Sequence, residues 1–277
     1  MGKQRRSRLV PGILCAVGLC VVELGCGRAE SSSQPEPLRI AAATDLQRVL
    51  PELIAGYKSH DPEVVVTFGA SGQLAEQIRK GAPFDVFLAA NMKFVADLEA
   101  EGVVERGSAR SYARGSLVLA VHHSARGAVG SMADLTRPEI HKLAIANPRF
   151  APYGAAASQA LERSGLADGL APKLVLAESV RQAFIYVEQG DAEAALVSRS
   201  LIVDGSGLKV IEVDPGLYEP LIQGLGVVAR SDKIDRARRF ADFVVGNGGR
   251  AILGDHGFKS PEEGGRPSAG EGGSHGG

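Results

Sequence analysis

Ala41-Ala42-Ala43-Thr44-Asp45-Leu46 closes an apolar run that begins at Leu38 and opens a stretch of helical period through Val49, Leu50, Leu53, Ile54 and Tyr57. A strand that hands over to a helix in this way leaves main-chain N–H groups unpaired at the helix start. Thr or Asp at that place either caps those donors or stands beside whatever they bind. Three further junctions repeat the arrangement. Phe68-Gly69-Ala70-Ser71-Gly72-Gln73 leads into Leu74 and Ile78 and stops at Gly81. Asn147-Pro148-Arg149-Phe150-Ala151-Pro152-Tyr153-Gly154 leads into a run of alanines, and Ala177-Glu178-Ser179-Val180-Arg181 leads into Ala183, Phe184 and Val187. Taken singly, Thr44, Asp45, Ser71 and Ser179 read as ordinary N-caps. Pro51 falls inside the first helical stretch and is expected to kink it.

Outward from these junctions the chain alternates between two periods. Strand-like apolar runs occur at Leu38–Ala43, Val64–Ala70, Val86–Ala90, Leu117–Val121, Leu143–Ala146, Leu174–Ala177, Ala194–Val197, Val210–Val213 and Leu225–Ala229, with helical spacing between most of them. Ile234, Ala237, Phe240, Ala241, Val244 and Val245 mark one helix clearly, with Gly246 and Gly248 as its stop. Alternating β and α units imply an α/β fold whose sheets are mostly parallel and flanked by helices. Such sheets bind ligands beyond the carboxyl ends of their strands, where helix N-termini point.

Composition narrows the function classes. The 277 residues carry 31 Lys+Arg against 32 Asp+Glu, contain no Trp and are 5% aromatic, so neither a basic surface nor a stacking platform for nucleic acid is present. Gly69-Ala70-Ser71-Gly72 is one residue short of a nucleophile turn. His60, His122, His123, His141 and His256 stand at no metal-ligand spacing. Catalysis is therefore not expected, and no catalytic residue or resident metal is assigned.

The N-terminal segment is not part of the fold. Lys3, Arg5, Arg6 and Arg8 precede an apolar run, Leu9 to Val22, closed by Glu23, which reads as a secretory signal over residues 1–25. Its removal takes the formal charge from −1 to −4, so an anionic ligand must be held by local geometry. Gly25-Cys26 resembles a lipoprotein cleavage box, with Glu23 as a departure from it; cleavage after Ala29 is the competing reading. Residues 26–37 form a polar tether, and residues 261–277, rich in Gly, Glu and Pro, read as a disordered tail.

Five blocks in order carry a resemblance. They are Ala42-Ala43-Thr44-Asp45-Leu46, Phe68 to Gly72, Gly81-Ala82-Pro83-Phe84-Asp85-Val86-Phe87-Leu88, Ala146 to Gly154, and Ala177 to Ala183. With compatible spacing from about Leu38 to Lys259, they resemble the periplasmic molybdate-binding proteins of bacterial ABC importers. The resemblance implies a two-lobed periplasmic binding protein with its ligand cleft between the lobes. Residues 38–118 plus 225–260 would form lobe one, and residues 119–224 lobe two. It implies a monomer without a cofactor that captures molybdate, and tungstate with it, for a membrane permease. Its place would be the periplasm or outer membrane face, with Cys26 lipid-anchored.

The implied oxyanion site consists of Thr44, Asp45 and Ser71 from lobe one, with Tyr153 and Val180 from lobe two acting through their main-chain N–H groups. Two positions depart from the family pattern. Ser198 stands where some members place a tyrosine hydroxyl. Asp45 brings a carboxyl to a dianion site, so its side chain is expected either to cap its own helix or to accept a proton from a protonated oxyanion such as phosphate. Phosphate or sulfate as ligand, a hydrolase, and the effector lobe of a transcription regulator are the alternative readings.

Overall fold

The structure is a computed structural model that describes residues 36–57 and 63–262. The expected signal segment, Cys26, most of the tether and the tail beyond residue 262 lie outside the described residues. In chain order the elements are β1 (Leu38–Ala43), α1 (Leu50–Gly56), β2 (Val64–Gly69), α2 (Ser71–Arg79), β3 (Val86–Ala89), α3 (Met92–Ala100), β4 (Arg110–Gly115) and β5 (Leu117–Val121). There follow β6 (Leu143–Ala146), α4 (Pro152–Arg163), α5 (Ala167–Leu170), β7 (Leu174–Ala177), α6 (Val180–Gln189), β8 (Ala194–Ser198), β9 (Lys209–Glu212), β10 (Leu221–Val227), α7 (Ile234–Val245) and α8 (Asn247–Asp255).

Among the described residues, ten strands form two five-stranded sheets, one per lobe, in the orders β2-β1-β3-β10-β4 and β7-β6-β8-β5-β9. In each sheet four strands run one way and one opposes them: β10 in the first, β5 in the second. These opposing strands lie beside the crossings between lobes. Leu117 already pairs with Ser198 in the second sheet, and Leu221 already pairs with Gly115 in the first. The chain thus passes between the sheets at residues 115–117 and 212–221.

The first sheet is covered on both faces. Leu38, Ile40 and Ala42 pack with Leu50, Leu53 and Phe240 on one side, while Ala41 joins Leu74, Phe87, Val95 and Leu98 on the other. This is the period-two alternation of a strand buried on both faces. α7 presents Ala237, Phe240, Ala241 and Val244, all fully buried, and Tyr57 meets the Phe240 ring edge-on at 5.3 Å. Burying a ring of that size contributes roughly 1.5–3 kcal/mol.

Three expectations are corrected. The first helical stretch is split: a 3-10 turn covers Thr44–Leu46, and α1 starts only at Leu50. Pro51 therefore sits in the first turn of α1, where its missing N–H costs nothing, and does not kink a longer helix. Gly246 ends α7, but α8 begins at once with Asn247 and includes Gly248. β4, Arg110-Ser-Tyr-Ala-Arg-Gly115, is an edge strand too polar to show as an apolar run. Among the described residues, no helix is long and apolar enough to cross a membrane.

Candidate functional site

The carboxyl ends of β1, β2, β3, β6 and β7 converge on a small cavity between the lobes. Thr44, Asp45 and Ser71 line it from one lobe, Tyr153 and Val180 from the other. The remaining lining residues are Ala, Gly and Pro, with no Lys, Arg or His among them. All five residues named from the sequence are brought to one place.

Their local chemistry differs from plain capping. Ala43 and Ala70 occupy the N-cap positions of the Thr44–Leu46 turn and of α2, so Thr44 and Ser71 are the first helical residues, and no side chain caps either start. Ala151 likewise leaves α4 uncapped. Only Ser179 caps as expected, accepting from the Gln182 N–H at 3.2 Å. Ser71 is buried, and its Oγ accepts the main-chain N–H of Ala90 at 2.9 Å. A hydroxyl has one hydrogen to give, and that of Ser71 remains for a ligand.

Lobe two brings two helix starts to the cavity. Pro152 and Tyr153 open α4, and a Cβ on Gly154 would collide with the main-chain carbonyl of Ala146 at the end of β6. Glycine there lets the helix start press against the strand end, which aims partial positive charge at the cavity. Val180 opens α6 in the same way after β7.

Asp45 is the one carboxyl in the lining. It is fully buried, and neither carboxyl oxygen closes a hydrogen bond. The expectation that it caps its own helix is not met, because the turn is too short and its N-cap position belongs to Ala43. Burial pushes its pKa up to about 7, against the weaker opposing pull of Tyr153, its own N–H, Gln223 and the Leu46 N–H. The Tyr153 hydroxyl and Gln223 Nε2 stand nearby, and they too lack a hydrogen bond of ordinary geometry.

Ser198 does not line the cavity. Its hydroxyl meets that of Ser200 at 2.8 Å, and Ser200 Oγ donates to the Asp45 carbonyl at 2.8 Å. Ser198 therefore joins a hydrogen-bonded chain that crosses from lobe two to lobe one. Two other bridges cross with it. Arg48 donates to the carbonyls of Ser200 and Ile202 at 3.1 and 2.6 Å, and the Gly72 N–H donates to the Phe150 carbonyl at 2.9 Å. The lobes are shut over the cavity.

Sequence reading missed Arg48, Ser200, Tyr112 and Gln223. Gln223 lies fully buried on β10, and its Oε1 accepts the Tyr112 hydroxyl at 3.1 Å. A polar residue inside an otherwise apolar strand, Leu-Ile-Gln-Gly-Leu, was the available signal.

Two lobes shut over a small cavity at helix starts define the class of solute-binding proteins. The family model for bacterial extracellular solute-binding proteins matches residues 38–259, and the chain belongs to that family. It is 34% identical over 248 residues to the molybdate-binding protein ModA of Azotobacter vinelandii, covering 86% of this chain and 96% of that one. The solved structure of the Azotobacter vinelandii periplasmic molybdate-binding protein superposes with a TM-score of 0.75 at 29% identity, over 80% of this chain and 98% of that one. A Bacillus subtilis relative described as a putative ABC transporter substrate-binding lipoprotein is 25% identical over 88% of this chain and 96% of its own. The protein is a binding protein and not an enzyme.

Proposed function

We propose that the protein captures molybdate, and tungstate with it, outside the cytoplasm and delivers it to the permease of an ABC importer. The observation that carries this reading is the orientation of Ser71. One of its two acceptor lone pairs is taken by the Ala90 N–H, and its hydrogen is left to donate into the cavity. Thr44 and the main-chain N–H groups of Asp45, Tyr153 and Val180 complete a set of neutral donors. A fully deprotonated tetrahedral dianion, which only accepts hydrogen bonds, is the complement of such a set. Donors without formal charge also let the anion leave again at the permease. The molybdate-binding relatives add support over nearly their full length.

The protein works as a monomer, with Cys26 lipidated after export and residues 26–37 as the tether. The name of the Bacillus subtilis relative and the Gly25-Cys26 pair support that anchor. The test of the ligand is a thermal-shift panel on the purified protein with molybdate, tungstate, sulfate and phosphate. Molybdate and tungstate should raise Tm, by roughly 2.7 kcal/mol of stabilisation at 100 times Kd. A phosphate shift equal to that of molybdate would overturn the reading and make Asp45 the acceptor of a ligand proton.

A further inference from the structure

The Asp45 carboxyl is unused by a site built from donors, and it is enclosed by parts that belong to different lobes. From its own turn it faces the N–H groups of Asp45 and Leu46. α4 of lobe two contributes Tyr153, β10 contributes Gln223, and β4 contributes Tyr112. The Ser200 hydroxyl, again from lobe two, closes over the Asp45 carbonyl. No Lys, Arg or His acts on the carboxyl, and both tyrosines remain protonated, because burial first and the Asp45 charge second raise them well above the phenol range. The two nearby donors pull the other way only weakly, and neither closes a hydrogen bond of ordinary geometry. Gln223 is tied through Oε1 to Tyr112, and the Tyr153 hydroxyl is pressed against Gly115, where any Cβ would strike it.

We propose that Asp45 is a proton-linked latch of the closed cleft: shutting the lobes around the oxyanion buries its carboxyl between Tyr153 and Gln223, and the closed form takes up one proton from solvent there. Parting the lobes withdraws Tyr153 and Ser200 and admits water, so the open form releases that proton. The inference rests on the molybdate reading above. A neutral Asp45 lets the cavity accept a dianion without facing a carboxylate, and a rise in pH loosens the cleft.

Linkage sets the magnitude. A carboxyl that titrates near 4 when hydrated and near 7 when enclosed makes affinity fall with pH between those values and level off above them. From pH 5.5 to 8.5 the loss is about thirtyfold.

The experiment is calorimetric titration of the intact protein with sodium molybdate at pH 5.5, 7 and 8.5, in paired buffers of different ionisation enthalpy. The expected result is an uptake of close to one proton per molybdate at pH 5.5, about half at pH 7 and nearly none at pH 8.5, with affinity falling in step. Asp45→Asn should abolish both the uptake and the slope, whatever its absolute affinity. Gln223→Met should move the midpoint upward, because it removes a group that favours the ionised carboxyl. Molybdate heat that is independent of buffer, with flat affinity, would overturn the latch and leave a permanently ionised Asp45 held by Tyr153 and Gln223. Absence of molybdate heat at every pH would overturn it together with the function it rests on.

Discussion

The main-chain N–H of Ala90, at the end of β3, donates to Ser71 Oγ, at the start of α2, across 2.9 Å inside the cavity wall. This bond ties the end of β3 to the start of α2 and occupies one of the two acceptor sites of the Ser71 hydroxyl.

Ser71→Ala removes a hydrogen bond to a charged ligand, worth roughly 1.5–3 kcal/mol. Molybdate affinity should fall about tenfold to 150-fold. The change also orphans the buried Ala90 N–H and should lower the stability of the ligand-free protein by about 1–3 kcal/mol. Val180→Ala keeps its main-chain donor and should bind nearly as the unaltered protein does. Calorimetry on both variants checks the pair, and a larger loss in Val180→Ala would reverse the assignment of donors.

Gly154→Ala should push the start of α4 away from the Ala146 carbonyl. Overpacking against backbone costs roughly 1–3 kcal/mol, and the displaced Tyr153 N–H should weaken binding as well. Denaturant unfolding with and without molybdate separates the two effects. Unchanged affinity would show that the α4 start is not a ligand contact.

Arg48→Ala cuts the bridge to the Ser200 and Ile202 carbonyls without touching the cavity lining. Closure should weaken, and molybdate should dissociate faster, by about tenfold. Stopped-flow displacement reads this directly. An unaltered off-rate would mean that Arg48 only decorates the hinge.

The sign of the pH effect follows from Asp45. Its pKa is raised to about 7 in the closed protein, so the closed form holds a proton that the unfolded chain has lost. Stability at saturating molybdate should therefore fall as pH rises from about 4 to about 7 and then level off, by at most about 4 kcal/mol. Thermal melts of the liganded protein against Asp45→Asn should show that slope only with the native Asp45.

Cys26→Ala should abolish incorporation of labelled fatty acid and membrane partitioning while leaving oxyanion binding intact. Stable anchoring needs more than one acyl chain. A mature protein that begins at Glu30 and is freely soluble would show that Glu23 spoils the lipid box.

The sequence made the strand-to-helix junctions legible because their signal is local. Apolar runs that end in Thr44-Asp45, Ser71, Pro152-Tyr153 and Ser179-Val180 mark where donors must be exposed, and all of those residues but Ser179 line one cavity in the structure. β4 stayed hidden because a strand at the edge of its sheet tolerates Arg110, Ser111 and Arg114, so no apolar run marks it. The start of β10 was concealed by Gln223, whose partner Tyr112 lies 111 residues away. The Ser200–Asp45 bridge spans 155 positions, and nothing near Ser200 announces it. Ser71 and Asp45 looked like caps because residue type alone cannot separate N-cap from first helical residue; only the backbone path past Ala43 and Ala70 does.

The most direct test of the account is calorimetric titration of the purified protein with molybdate at pH 7, followed by the same titration in excess phosphate. A single saturable site of one molybdate per chain, unaffected by phosphate and weakened at least tenfold by Ser71→Ala, is the predicted result. Full competition by phosphate, or molybdate binding that is indifferent to Ser71, would contradict the claim that neutral donors at the helix starts select a deprotonated dianion.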